Sequence, residues 1–209
     1  MKEEILRFIR EQAPEGVVIG VSGGVDSAVV AFLCVEALGR DNVMGLFLPS
    51  ATTPREDFED AYEVARILGM EWGEIDIQPM LSPYKRLSER TLGNVKARMR
   101  MTLLYSYANE KGRRVAGTGD YSEHFVGYYT KYGDGGTDFE PIGNLTKTEV
   151  RKLAGELGVP QRIIDKPSSP RLWEGHEAEK ELGLTYEQID KVIEMHRASE
   201  HKRRLPPSP

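Results

Sequence analysis

The chain has 209 residues, enough for one domain of ordinary size with a core of its own. Its 28 basic and 33 acidic residues are well mixed and leave a formal net charge of −5. That balance gives no whole-protein reason to expect nucleic acid or a membrane surface as partner. The one cysteine, Cys34, excludes an internal disulfide framework and fits a reducing cytoplasm.

Residues 1–15 are charged and amphipathic, unlike a secretion signal or a membrane span. Within them 2–12 predicts a helix with Ile5, Leu6, Phe8 and Ile9 on its apolar side. The run 17–21, rich in valine and isoleucine and bounded by glycines, predicts a strand buried on both faces. Residues 27–38 are apolar nearly all round, as in a helix packed tightly on a sheet. "VMGLFL" (43–48) predicts a second strand, 55–68 a helix and "GEIDI" (73–77) a third strand. A long helix over 94–112 ends in glycine, a common stop signal. "RVAGTG" (114–119) reads as a fourth strand entering a turn, followed by the loop "YTKYGDGGTDF" and helices near 146–157 and 185–197. Only "RRLPPSP" reads as a tail.

Repeated strand–helix–strand units with short links imply a single-domain α/β fold, a doubly wound parallel sheet flanked by helices. Ligands of such folds sit beyond the carboxyl ends of the strands. That rule puts 22–27, 49–53 and 117–123 on one rim.

"SGGVDS" (22–27) joins the first strand to the next helix. It lacks the lysine of a Walker A loop and the G-x-G-x-x-G spacing of dinucleotide-binding folds. Its physics is still that of an anion site. Gly23 and Gly24 let the backbone approach a ligand, Ser22 and Ser27 offer hydroxyls, and a helix N-terminus points at the bound charge. Asp26 would repel a phosphate unless a divalent cation bridged them, so Asp26 predicts magnesium. Read more simply, Asp26 caps the helix and the glycines only make a turn.

"SGGVDS" is the signature of the ATP pyrophosphatases, and the chain resembles the ammonia-dependent NAD synthetases from about residue 14 to 205. The likeness rests on "SGGVDS", "NVKARMRMTLLYSYAN", "GTGDYSEHFVGYYTKYGDGGTDFEPIGNLTKTEVRKLA", "KPSSPRLWEGH", "ELGLTYEQID" and "HKRR", in that order. It implies a Rossmann-like sheet of the adenine nucleotide α-hydrolase kind. It also implies cleavage of ATP between its α and β phosphates, an acyl-adenylate of nicotinic acid adenine dinucleotide (deamido-NAD), and its amidation by ammonia to NAD.

Residue by residue, the resemblance implies ATP contacts at Gly20, Val21, Ser22, Gly23, Gly24, Val25, Asp26, Ser27, Thr118, Lys147 and Ser169. It assigns magnesium to Asp26 and Glu123, and deamido-NAD to Arg98, Lys131, Asp138, His201 and Lys202. Asp138 is also a candidate to bind or deprotonate the incoming ammonium. Residues 200–209 are expected to close over the substrate, and a homodimer with substrate near the subunit interface is implied. Free ammonia, or ammonia from a separate protein, would supply the nitrogen.

Without the resemblance Lys147 reads as a solvated charge, Glu123 as a first-turn helix acid, Arg98 as surface and "KYGDGGTD" as a solvated turn. Segment 174–180 departs from the family pattern, with Ala178 where an aspartate is usual. Cys34 reads as core, and His124, His176 and His196 show no zinc-like spacing. Two alternatives stay open: another ATP pyrophosphatase acting on a purine nucleotide or RNA, and a nucleotide-binding regulator without catalysis.

Overall fold

The computed structural model describes residues 1–204, with side chains described through Ser199. A parallel sheet of four strands, among the described residues, forms its centre in the order β3-β2-β1-β4. The strands are β1 (Val17–Gly20), β2 (Val43–Phe47), β3 (Glu71–Glu74) and β4 (Arg114–Ala116). Val17 of β1 pairs with Val43 on one side and Arg114 on the other. β1 and β2 are therefore interior strands, which is why their residues are nearly all apolar and buried.

Helices cover both faces, as the alternating pattern predicts. Against one face pack α1 (Lys2–Gln12), α2 (Val25–Leu38), α3 (Arg55–Leu68) and α6 (Lys147–Leu157), burying Ile9, Val29, Leu33, Val64 and Leu153. Against the other lies α4 (Glu89–Lys111), where Leu103 and Leu104 meet Val18, Leu46 and Val115. A third, smaller core gathers Ala178, Tyr186, Ile189 and Ile193 where α8 (Ala178–Leu182) and α9 (Tyr186–Arg204) close the C-terminal side.

Two elements differ from the sequence expectation. The third strand is 71–74 rather than 73–77, because β2 aligns Met44 with Glu71 and Phe47 with Glu74. The chain of "EIDI" still bonds alongside, Ile75 N–H to the Phe47 carbonyl at 3.0 Å and Ile77 N–H to that of Pro49 at 2.9 Å. Its alternation is real, but the regular ladder lies earlier, on an edge strand whose glutamates conceal it. The second difference is α5 (Tyr121–Val126), within a stretch read as loop. Asp120 accepts the N–H of Glu123 while Glu123 accepts that of Asp120, a capping box that starts this short helix. A further short helix, α7 (Gln161–Ile164), follows α6.

Candidate active site

β1 ends at Gly20 and the chain turns at once into α2, so "SGGVDS" lies at the carboxyl edge of the sheet. The loop is folded on its own hydroxyls. Ser27 Oγ accepts the Ser22 N–H at 3.1 Å and donates to the Gly24 carbonyl at 3.0 Å. Gly23 has φ of 83°, and a Cβ there would run into the backbone of Asp57. Only glycine serves at that position. Gly24 is the N-cap of α2 and makes no side-chain cap, which leaves the helix N-terminus available to an anion.

The loop forms one wall of a cleft of about 360 Å³. Gly20, Val21, Ser22, Asp26 and Ser27 line it from one side; Thr118, Glu123 and Ser169 line it from the others. Eight of the residues assigned to ATP or metal thus meet in one space of nucleotide size. Gly24 and Val25, with Ser22, Asp26 and Ser169, line a smaller cavity of about 60 Å³ behind the loop. There Lys166 donates to the Gly23 carbonyl at 3.1 Å and to Asp57 at 2.9 Å, and Arg171 donates to Asp57 at 2.8 Å. The segment after α7 is thereby tied to the "SGGVDS" loop.

Lys147 is not the solvated charge its position alone suggests. It is the first residue of α6, fixed by the Thr146–Glu149 capping box, and its side chain is wholly buried. Its Nζ lies 2.7 Å from Asp26, 2.8 Å from Asp120 and 3.1 Å from Glu123. Burial lowers the tendency of Lys147 to hold its proton, but the three carboxylates outweigh it and push its pKa well up. Burial raises the pKa of Asp120 above the ordinary carboxylate value and that of Glu123 to about 8; Lys147 pulls both down, while neighbouring negative charge pushes them up.

Oxygens of Asp26, Asp120 and Glu123 come within 4.8 Å of one another. Three carboxylates and one ammonium leave two formal negative charges, and the buried Oδ1 of Asp26 has no hydrogen-bond partner. Hard oxygen donors, a deficit of two charges and an unsatisfied oxygen suit one magnesium ion.

The substrate-side residues are placed differently. Arg98 is exposed on α4 and donates from Nε to the Lys131 carbonyl at 3.2 Å. The Lys131 ammonium lies 5.0 Å from the Tyr132 ring centre. Asp138 accepts the Val115 N–H at 2.7 Å and does not line the cleft. The side chains of His201 and Lys202, and the closing role expected of 200–209, lie outside the described residues.

Two residues of the site are not assigned to it from the sequence: Asp120 is not singled out, and His176 is set aside for lack of zinc-like spacing. Asp120 is completely buried beside the metal candidates, and its only sequence sign is the D-x-x-E capping pattern. His176 is buried against the cleft, its ring stacked on Trp173 at 3.5 Å and its Nε2 within 2.9 Å of Tyr128 Oη and 2.8 Å of Glu181. Burial works against the Glu181 charge, yet hydrogen bonds from His176 and Tyr128 hold its pKa below the ordinary range. Ala178, in the place of the usual aspartate, is buried at the start of α8 beside this network.

Fold and site define a doubly wound α/β protein with a nucleotide-sized cleft, lined by a glycine-rich loop and carboxylates, at the carboxyl edge of its sheet. The chain belongs to the NAD synthase family, whose profile matches residues 1–206. It is 47% identical to the NH(3)-dependent NAD(+) synthetase of Hyperthermus butylicus, over all of this chain and 88% of that one. Among solved structures, NMN synthetase from Francisella tularensis superposes with a TM-score of 0.87 at 36% identity, covering 100% of this chain and 96% of that one. The NH3-dependent NAD synthetase of Campylobacter jejuni gives 0.81 at 35% identity, covering 99% and 87%.

Proposed function

We propose that the protein converts deamido-NAD, ATP and ammonia into NAD, AMP and pyrophosphate. One observation carries the reading: in a chain of this family, the "SGGVDS" loop and the Asp26–Glu123 carboxylates face one nucleotide-sized cleft. Gly20–Ser27 and Thr118 cradle ATP, with Ser169 as a further contact; Lys147, expected as a contact, is wholly buried and acts on the nucleotide only through Asp26 and Glu123. Magnesium held by Asp26 and Glu123 would neutralise phosphate charge and favour attack at the α-phosphorus. A nicotinate carboxylate oxygen bonds to that phosphorus, and the bond to the β-phosphate oxygen breaks to release pyrophosphate. Ammonia then bonds to the acyl carbon of the adenylate, AMP leaves with the bridging oxygen, and a proton is lost. Positioning and charge neutralisation by the loop supply most of the catalysis.

Arg98, Lys131 and Asp138 are read as contacts to the dinucleotide at the edge of the cleft, completed by His201, Lys202 and a partner subunit in a homodimer. The protein is read as cytoplasmic; no helix among the described residues is long and apolar enough to cross a membrane. The deciding experiment mixes protein, ATP, magnesium, ammonium and deamido-NAD and quantifies NAD, AMP and pyrophosphate. Absence of NAD, or ADP in place of AMP, would overturn the reading.

The likeness to NMN synthetase over nearly both whole chains favours a second reading, in which the acceptor is nicotinic acid mononucleotide. The ratio of kcat/KM for the mononucleotide and the dinucleotide decides between them.

A further inference from the structure

Asp26 and Glu123 line the cleft, but the third carboxylate of the cluster, Asp120, does not. It is completely buried, and its two oxygens have different tasks. Oδ1 accepts the Glu123 N–H at 2.9 Å and so starts α5, while Oδ2 lies 2.8 Å from Lys147 Nζ. A carboxylate this deep persists only if it is paired, and Lys147, equally buried, is its partner.

Lys147 has more acceptors than it needs. Asp26 Oδ2 at 2.7 Å and Glu123 Oε1 at 3.1 Å also receive its ammonium, and the Tyr186 ring lies 4.8 Å from it. A divalent cation on Asp26 and Glu123 needs those same carboxylates. Lys147 has no exposed surface through which to pass its charge to water, so it must keep a carboxylate of its own. Asp120 is the one that the cleft does not reach. Asp26 Oδ1 is buried with no hydrogen-bond partner while its Oδ2 faces Lys147; Asp120 Oδ2 likewise accepts no hydrogen bond and meets only the Lys147 charge, at 2.8 Å.

We propose that Asp120 is a positioning residue: it retains the Lys147 ammonium when a divalent cation takes Asp26 and Glu123, so that lysine and metal share the site. The inference rests on the cation site of the proposed function. Its charge logic is simple. The wild-type cluster carries three carboxylates and one ammonium, a formal −2. Asp120→Asn leaves −1 and forces Lys147 onto the metal's own ligands. Asp120→Asn together with Lys147→Met restores −2 with no competing lysine.

Asparagine caps helices about as well as aspartate, so the start of α5 survives, and Lys147 keeps two carboxylates in the single variant. The test titrates Mn2+ alone, without nucleotide, into each full-length protein and reads free Mn2+ by electron paramagnetic resonance. The single variant should bind Mn2+ at least about tenfold more weakly than wild type, as one unit charge a few ångströms away is worth that much inside a protein. The double variant should return to within about threefold of wild type, because the two changes are coupled rather than additive. Equal weakness in both variants would make Asp120 a ligand itself and overturn the positioning role, and so would an unchanged single variant. Should the single variant not fold, the double variant against wild type decides on the same limits. Amidation is assayed separately, so a failed substrate assignment appears there and leaves the Mn2+ result standing.

Discussion

Lys147 sets the terms on which its neighbours ionise. With Asp26, Asp120 and Glu123 around one ammonium, the cluster has more negative charge than positive. Asp26→Asn and Glu123→Gln each remove a charged ligand with little change of shape. Each should cut turnover at least about a hundredfold in a steady-state assay, the scale of losing a charge-stabilising group. Wild-type rates in either would return that residue to helix capping. The same charge deficit predicts a pH dependence. Burial raises Glu123 from 4.5 to about 8, and a carboxyl raised on folding stabilises at low pH and loses that stabilisation as pH climbs through its folded value. Magnesium bound there, as proposed, would favour the ionised form. The gain in Tm on replacing EDTA with magnesium should therefore grow between pH 5 and pH 8, read by thermal denaturation at several pH values. A gain that stayed flat with pH would separate the cation from these carboxylates.

The "SGGVDS" loop and the segment after α7 are joined through Gly23, Lys166 and Asp57. Gly23→Ala adds a methyl group toward the Asp57 backbone at a φ of 83°, so the loop must move. Stability should fall by about 1–3 kcal/mol in chemical denaturation, with a larger loss of ATP affinity, the cost of strain at a special backbone position. Unchanged ATP binding would show that the loop does not cradle the nucleotide. Most of this architecture was legible beforehand. β1 announces itself by unbroken valine and isoleucine, β2 by a run with no polar side chain and α2 by an apolar surface nearly all round, since all three are set by burial. What stayed hidden depends on partners distant in sequence. Asp120 and Lys147 carry the commonest surface chemistry, and only packing of α5 and α6 against the loop after β1 buries them. His176 is informative only once Trp173, Tyr128 and Glu181 surround it. β3 was displaced because an edge strand rich in glutamate has no apolar pattern to read.

At the scale of the molecule, one thiol bears on which nitrogen donors this chain can use by itself. Cys34, the sole cysteine, is completely buried in α2, and burial pushes its pKa far up. A thiol in that state is no nucleophile toward glutamine. The purified protein should make NAD with ammonium and only background amounts with ammonia-free glutamine; robust turnover with glutamine would overturn this. The tie between Lys147 and Asp26 spans 121 residues, and that between Lys166 and Gly23 spans 143. A nascent chain synthesised through Glu140 would hold the phosphate loop, Asp26 and Glu123, but neither lysine that secures them. Neither tie can form until the segment that carries its lysine has been made. Contacts this distant close slowly compared with helices. In refolding from denaturant, helical circular dichroism should return first and binding of a fluorescent ATP analogue last.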